Sequence, residues 1–158
     1  MYYRKRDLFF VVLFLLAVQL VCGCREVPPR PEGLPRVYSC NISVKFGGKP
    51  ISGVRVMFIP DNPESKWKPT GMTDTEGNVV LYSSFGYEGA PAGEYTATFS
   101  LIEEPEDSAP RGTPAKSLIP LKYSPDQSQE KVEVVAGKNN FDFDLDAGEE
   151  LVPMKPKG

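Results

Sequence analysis

The side chains best suited to chemistry in this 158-residue chain are three cysteines, and Cys24 has the most distinctive surroundings. It ends the tetrapeptide Val21-Cys22-Gly23-Cys24, which directly follows an apolar stretch. A cysteine thiolate is a good nucleophile and can be alkylated on sulfur. The small Gly23 allows a peptidase to approach the backbone closely. These residue types in this order predict that Cys24 is modified on its sulfur and becomes the first residue of the mature chain.

The segment before Cys24 has the organisation of an export signal. Three basic residues at positions 4–6 precede an almost entirely apolar run over residues 8–21. A membrane-spanning helix needs about 20 apolar residues, so this run is too short and is typical of a secretory signal peptide. The whole pattern resembles a bacterial lipobox, which predicts a lipoprotein signal peptide at residues 1–23 and lipidation of Cys24. An ordinary cleaved signal with an incidental cysteine is the alternative.

Residues 24–36 are predicted to be a spacer. They contain four prolines and charges of both signs, a composition that favours extended chain of about 3.1 Å per residue. Extended throughout, the spacer would hold the folded part roughly 35 Å from the bilayer. Two or more acyl chains anchor a protein stably, whereas one binds marginally. The sequence predicts an exported protein anchored to a bacterial membrane through lipid on Cys24. Arg25, in place of an aspartate that retains some lipoproteins in the inner membrane, favours the outer membrane.

Charge and length narrow the class of protein. The net charge is −3, and it becomes −5 once residues 1–23 are removed. Nucleic-acid-binding proteins normally show a basic footprint, so no nucleic-acid partner is predicted. About 110 residues, at positions 37–146, follow the spacer. That length fits one domain with its own core.

The chain contains no histidine. This excludes Ser-His-Asp and Cys-His catalysis and histidine-ligated zinc or copper. Cys40 has no disulfide partner once Cys24 carries lipid. It lies in an alternating apolar stretch and is expected to be a buried thiol, a reactive or intermolecular thiol being the alternative. We predict no catalytic residue, no metal ligand and no cofactor.

Two acidic groups invite a metal interpretation. Asp142, Asp144 and Asp146 alternate along one predicted strand, where such charges usually form a solvated face and discourage edge-to-edge pairing. Asp74 and Glu76 lie in a predicted tight turn, where an aspartate commonly caps backbone amides. No metal is expected at either place. An enzyme using carboxylates alone would need two acids about 5–10 Å apart in a cleft, and no cleft is evident from the sequence.

The elements that position these residues are predicted to be strands, because apolar residues alternate and no segment after residue 36 has helical periodicity. About seven strands at this spacing predict a β-sandwich. The expected first strand is 37–46, with Tyr38, Cys40, Ile42, Val44 and Phe46 on one face. The other expected elements are strands at 53–60 and 70–73, a turn at 74–77, a returning strand at 78–83, a strand at 94–102, an exposed loop at 103–117, a short strand or extended edge segment at 119–123, a final hairpin of 131–135 with 140–146, and a disordered tail at 147–158.

Several segments resemble the carboxypeptidase regulatory-like domain, including that of single-domain bacterial lipoproteins. They are residues 48–54 with Val56, Phe58 and Pro60, the threonine-aspartate hairpin at 71–77, the glycine-then-tyrosine strand at 89–96, and residues 119–123 with 137–141. The similarity covers residues 37–146 and implies a seven-stranded transthyretin-like or immunoglobulin-like β-sandwich. The chain departs from the family at Ile42, where glycine is expected, and at Val79, where an aromatic residue is usual. Domains of this family are accessory modules without an active site, so the resemblance implies no enzyme.

Four aromatic residues in or near loops form the predicted binding surface: Trp67, Tyr82, Phe85 and Tyr87. Exposed rings can stack on sugars or anchor a protein partner. We favour the interpretation that they cover one end of the core, and they are still where a binding surface should be sought first. The sequence therefore predicts a membrane-anchored envelope lipoprotein with a non-catalytic structural or protein-interaction role. A carbohydrate-binding module that uses the loop aromatics is the alternative function.

Overall fold

The computed structural model describes residues 29–106 and 108–146; the predicted signal peptide, Cys24 and tail 147–158 lie outside the described residues. The described chain is all-β, as predicted, with one short 3₁₀ turn and no α-helix. None of its helical segments is long and apolar enough to cross a membrane. The strands are β1 (Val37–Tyr38), β2 (Cys40–Phe46), β3 (Lys49–Pro50), β4 (Arg55–Pro60), β5 (Thr70–Met72), β6 (Asn78–Val79), β7 (Tyr82–Ser84), β8 (Tyr87–Glu88), β9 (Ala90–Pro91), β10 (Gly93–Ser100), β11 (Ile102–Glu103), β12 (Lys116–Ser117), β13 (Glu130–Val134) and β14 (Asn139–Leu145).

Two sheets form the body of the described chain. The larger sheet is antiparallel and has the order β13-β10-β4-β5-β7-β8. The smaller sheet has the order β14-β2-β3, with β6 also paired to β2. Within it β14 and β2 run parallel, in register from Cys40 opposite Asn139 to Phe46 opposite Leu145. Two further two-stranded ladders join β1 to β9 and β11 to β12.

The apolar faces of the two sheets form one core. Phe58 of the larger sheet meets Phe141 of the smaller sheet with ring centroids 5.6 Å apart, and Phe99 meets Phe143 at 4.8 Å. Burying a side chain of this size contributes about 1.5–3 kcal/mol each. The buried apolar residues of this cluster are Cys40, Ile42, Val44, Val54, Val56, Phe58, Val79, Leu81, Ala90, Tyr95, Ala97, Phe99, Ile119, Tyr123, Val134 and Leu145.

The predicted strand faces are confirmed. In β2 the alternate residues Cys40, Ile42 and Val44 are buried, and the flanking Tyr38 and Phe46 pack against the core half-buried. In β14 the aspartates point outward, while the apolar residues between them pack inward.

The final hairpin predicted from 131–135 and 140–146 is wrong. β13 pairs with β10 in the larger sheet, whereas β14 pairs with β2 in the smaller one. The connection passes from the larger to the smaller sheet at the buried Asn139. The side chain of Asn139 hydrogen-bonds to chain on both sides of this passage. It accepts a hydrogen bond from Val135 N at 2.9 Å and donates to Ser39 O at 3.3 Å. A buried amide needs such partners, and Asn139 finds them on both sides of the connection.

The predicted returning strand 78–83 is also divided between sheets. Its first half, β6, pairs with β2, and its second half, β7, pairs with β5. Val79 and Leu81 are both buried where the chain passes from one sheet to the other. A β-carbon at Gly71 would lie 2.2 Å from Val80 O, so the crossing chain approaches β5 as closely as glycine permits.

Residues 119–123 form no strand, contrary to prediction. Pro120 precedes a 3₁₀ turn at Leu121–Tyr123, and Tyr123 N donates to Pro120 O at 3.1 Å. The turn lets Ile119 and Tyr123 enter the core from a short segment. The predicted loop 103–117 is mostly exposed, but the ladder of β11 with β12 closes it into a hairpin.

The strand register defines which loops lie at each of the two ends of the described molecule, which we call the upper end and the lower end. Thr70 pairs with both Met57 and Tyr82, so β7 runs in the same direction as β4. The upper end therefore holds the end of β4, the start of β10, loop 61–69, the β7–β8 turn at residues 85–86 and residues 29–36. The lower end holds turns 47–48 and 74–77, loop 104–115, the 3₁₀ turn and the end of β14.

Residues 30–36 differ from the predicted extended spacer. Gly33 has φ +76°, and Leu34 N donates to Pro31 O at 3.1 Å, which closes a turn. Leu34 is only 6% exposed, and the Arg30 side chain donates to Leu34 O at 3.1 Å. The apolar side chain of Leu34 gains more from burial than from remaining on free chain. Residues 30–36 of the predicted spacer are thus packed against the folded part.

Candidate functional site

Trp67, one of the four residues of the predicted binding surface, lies at the upper end. Trp67 lies in loop 61–69 and is half-buried. Its indole Nε1 donates to Gly33 O at 3.1 Å, and Lys66 Nζ lies 5.1 Å from the ring centroid. The indole therefore joins residues 29–36 to loop 61–69, and the Lys66 ammonium group lies over its ring.

Tyr87 contacts the same N-terminal segment from another side. The Arg30 guanidinium lies 5.7 Å from the Tyr87 ring centroid, within cation–π range. The Arg30 side chain also donates to Leu34 O and Pro35 O. Trp67 and Tyr87 thus share a partner segment, and the structure brings them to the same end of the molecule.

Tyr82 and Phe85 belong to the exposed part of the β7–β8 hairpin. Tyr82 is 45% exposed on β7, and Phe85 is 88% exposed at the turn. The two proposed roles of the four aromatic residues are therefore divided among them. Trp67 and Tyr87 cover packed chain, whereas Tyr82 and Phe85 are available to a partner.

An open groove of about 730 Å³ lies beside Trp67 at the upper end. Its walls come from residues 29–36, loop 61–69 and the start of β10. The groove is lined by aromatic and proline rings together with carboxylates, and this combination suits a polyhydroxylated ligand. The lining residues are Gly33, Pro35, Pro60, Asp61, Asn62, Glu64, Ser65, Lys66, Trp67, Pro91, Ala92, Gly93, Glu94 and Tyr95.

Asp61 is the most constrained carboxylate of the groove. Lys131 Nζ lies 2.8 and 2.9 Å from its two oxygens, and Thr96 Oγ1 lies 3.1 Å from Oδ1. The hydrogen bond from Lys131, and then that from Thr96, lowers the pKa of Asp61. A general acid requires the opposite shift, toward a protonated carboxyl at neutral pH. Asp61 therefore suits an ion pair or a ligand contact better than proton donation.

The acidic groups at the lower end have structural partners. Asp74 Oδ1 accepts from Glu76 N and Asn78 N, each at 2.9 Å, so Asp74 caps its turn as predicted. Asp144 Oδ1 accepts from Gly48 N at 2.8 Å. Over residues 29–106 and 108–146, no group of three or more acidic or cysteine side chains is arranged to hold a metal ion.

Cys40 is buried, as predicted, and its thiol lies 3.5 Å from Tyr38 O. Burial raises the pKa of Cys40 to about 11. Burial also raises the pKa of Tyr95 to about 12, and the nearby Cys40 adds to that shift. Tyr95 Oη donates to Pro91 O at 2.9 Å. Both groups stay protonated at neutral pH, which does not favour a nucleophilic role for Cys40.

Sequence reasoning missed the residues that hold the upper end together. Leu34 is the one large apolar residue among residues 29–36, and that isolation was a usable sign of an anchor. Arg30 and Gly33 gave no sign of their role, because their partners are recognised only once Trp67 and Tyr87 are in place. The bond of Lys131 to Asp61 joins residues 70 apart and has no local signal.

Comparisons of the chain with protein-family models, with curated proteins and with solved structures found no match. A proposed function therefore rests on the sequence and on the geometry of the described residues.

Proposed function

We propose that this protein is a bacterial envelope lipoprotein, anchored by lipid on Cys24, whose folded part is a non-catalytic structural or protein-interaction module. The observation that carries the proposal is Val21-Cys22-Gly23-Cys24 behind a basic head and an apolar run. The outer membrane is favoured because Arg25 stands where an aspartate retains some lipoproteins in the inner membrane. The packed chain beginning near residue 30 is consistent with an anchor a few residues upstream.

For the folded part we propose the transthyretin-like type of β-sandwich, as in carboxypeptidase regulatory-like domains. Two mainly antiparallel sheets with one shared core support it. The Asp74-capped turn with Gly77 at φ +80° also agrees with the hairpin expected for that family. Accessory modules of this kind act by binding and positioning.

Intact mass and membrane partitioning test the anchor. The full chain and its Cys24→Ala variant are expressed in a bacterium and fractionated. The expected product begins at Cys24, carries added acyl mass and sediments with membranes, whereas the variant does not. A wild-type product that is secreted without acyl mass would refute the proposal. Separation of inner from outer membranes then tests the assignment to the outer membrane.

A second candidate function is glycan binding in the groove beside Trp67. The half-buried indole next to Asp61, Asn62 and Glu94 favours it, because an aromatic face with flanking hydrogen-bonding groups suits a sugar ring. Titration with envelope glycan fragments, followed by Trp67 fluorescence and calorimetry, tests it. Saturable quenching that is lost in Asn62→Ala would support glycan binding, and no heat or quenching would exclude these fragments as ligands.

A further inference from the structure

The most exposed aromatic side chain of the described residues is Phe85, with 88% of its surface accessible. It occupies the turn between β7 and β8 next to Gly86, whose φ of +78° makes the turn tight. A single exposed apolar residue is ordinary on a protein surface. The position of the Phe85 ring in the molecule is more informative than its exposure alone.

The turn lies at the end where the N-terminal segment joins the folded part. Tyr87, two residues after Phe85, has the Arg30 guanidinium 5.7 Å from its ring centroid. The strand register independently assigns the turn to the upper end, because β7 runs in the same direction as β4. Phe85 and the first packed residues are therefore neighbours.

The chain between Cys24 and Pro29 is short. Five peptide units span at most about 17 Å, since each residue reaches 3.3–3.6 Å when fully extended. Cys24 on an acyl anchor would sit at the bilayer surface, so the upper end would lie within about this distance of the surface. The lower end is farther away by roughly the length of β10, about 25 Å for eight residues at 3.3 Å each.

The chemistry of the turn fits a lipid surface. Residues 82–87 are Tyr-Ser-Ser-Phe-Gly-Tyr and carry no charge of their own, although Arg30 lies over the Tyr87 ring and Glu88 pairs with Tyr82 farther from the turn. Aromatic residues are enriched at that depth. One ring gives weak binding alone, but an anchored domain presents it at high effective concentration.

We propose that the turn at residues 85–86 is a second membrane contact, with the Phe85 ring inserted into the bilayer interface beside the lipid on Cys24. The inference rests on the proposed lipid anchor. It adds an orientation, because two contacts at one end make the domain stand with its upper end on the bilayer. The groove beside Trp67 then faces the membrane surface, and loop 104–115 faces away.

The experiment uses the lipidated full-length chain in vesicles of phosphatidylethanolamine and phosphatidylglycerol. An environment-sensitive fluorophore is attached to Phe85→Cys and, as a matched control, to Ile102→Cys. Ile102 is 44% exposed and follows Ser100, which pairs with Arg55 at the lower end. Cys40 is buried, and wild type treated identically gives the background labelling. We expect a several-fold fluorescence rise on vesicles, and quenching by headgroup-attached nitroxide, at position 85 only.

A second pair of variants tests the ring itself. The fluorophore is placed at Ser84→Cys with Phe85 either kept or replaced in Phe85→Ser, and the membrane signal should be lost in the latter. Lipidated, vesicle-bound protein with an aqueous signal at position 85 would overturn the inference and leave the anchor intact. Protection of position 85 only by an added envelope protein would also overturn it. Absence of acyl mass on Cys24 would refute the anchor and the inference together.

Discussion

The two ends of this molecule are held in different ways. At the lower end, the turn at residues 74–77 is fixed by backbone conformation and by a nearby side chain: Gly77 has φ +80° and Asp74 caps amides two and four residues away. At the upper end, contacts join distant parts of the chain, such as Trp67 to Gly33 and Lys131 to Asp61. The 74–77 turn is therefore fixed by local sequence, although the lower end also has the long-range bond of Gly48 to Asp144, whereas the upper end depends mainly on contacts between distant segments.

This difference assigns separate tasks to the two ends. Locally fixed turns form whenever the adjoining strands pair, so they contribute to folding without a partner. An end built from long-range contacts can carry a loop, a groove and an exposed hairpin turn whose sequences are free to serve binding. The groove and Phe85 both lie at the upper end.

The largest expected effect is at Gly77. Gly77→Ala should lower the free energy of unfolding by about 3 kcal/mol, because the residue has positive φ and its new β-carbon would lie 2.4 Å from Val44 O. Gly48→Ala is the matched control. It has φ +78° but no atom within 4 Å, so only conformational strain of about 1 kcal/mol is expected. Urea unfolding followed by circular dichroism measures both, and equal losses would contradict the close approach at Gly77.

Leu34→Ala tests whether the upper end depends on the N-terminal segment. We expect a loss of about 2 kcal/mol, near the lower limit for a buried leucine, since Leu34 lies at the margin of the core. Trp67 emission should shift to the red as its contact with Gly33 loosens. The exposed Pro35 gives the control Pro35→Ala. Unchanged emission in Leu34→Ala would show that the indole is held without Leu34.

Asp74→Ala should cost about 1 kcal/mol, because two backbone amides lose their acceptor. Asp74→Asn should recover most of that loss, since the amide oxygen can still accept. Asp142→Ala, on the exposed face of β14, should leave the unfolding free energy unchanged. If Asp74→Asn were as damaging as Asp74→Ala, charge and not hydrogen bonding would account for the turn.

The last expected effect is an alkaline weakening centred on Cys40, whose size depends on the pH. The folded pKa of about 11 exceeds the ordinary value of 9.0, so the thiol stays protonated in the folded chain after it has ionised in the unfolded one. Stability from this group is complete below pH 9, falls as the pH rises, and stops falling above pH 11. Urea midpoints of wild type should therefore decline more steeply than those of Cys40→Ala between pH 9 and 10. Parallel curves would contradict the burial of the thiol.

The features that sequence predicted well are those with local causes. The alternation in β2 and β14 fixed which side chains enter the core, and the Asp74 turn followed from its residue types. The sheet that each strand joins could not be predicted, because Val79 and Leu81 look alike in sequence yet flank a crossing between sheets.

The same distinction applies to the candidate site. The exposure of Phe85 agrees with its place between serine and glycine in a turn. The hydrogen bond of Trp67 to Gly33 could not be predicted, since Gly33 lies 34 residues away in a segment expected to be free. The groove has the same origin, because its walls come from three separate stretches of chain.

The parallel pairing of β14 with β2 has a consequence for how the chain matures. Cys40 lies opposite Asn139, about a hundred residues later, so one edge of β2 stays without its partner until nearly the whole chain is present. Loop closure over such a distance is slow compared with local turn formation. A chain synthesised from its N-terminus therefore keeps this edge of β2 unpaired until β14 has been made.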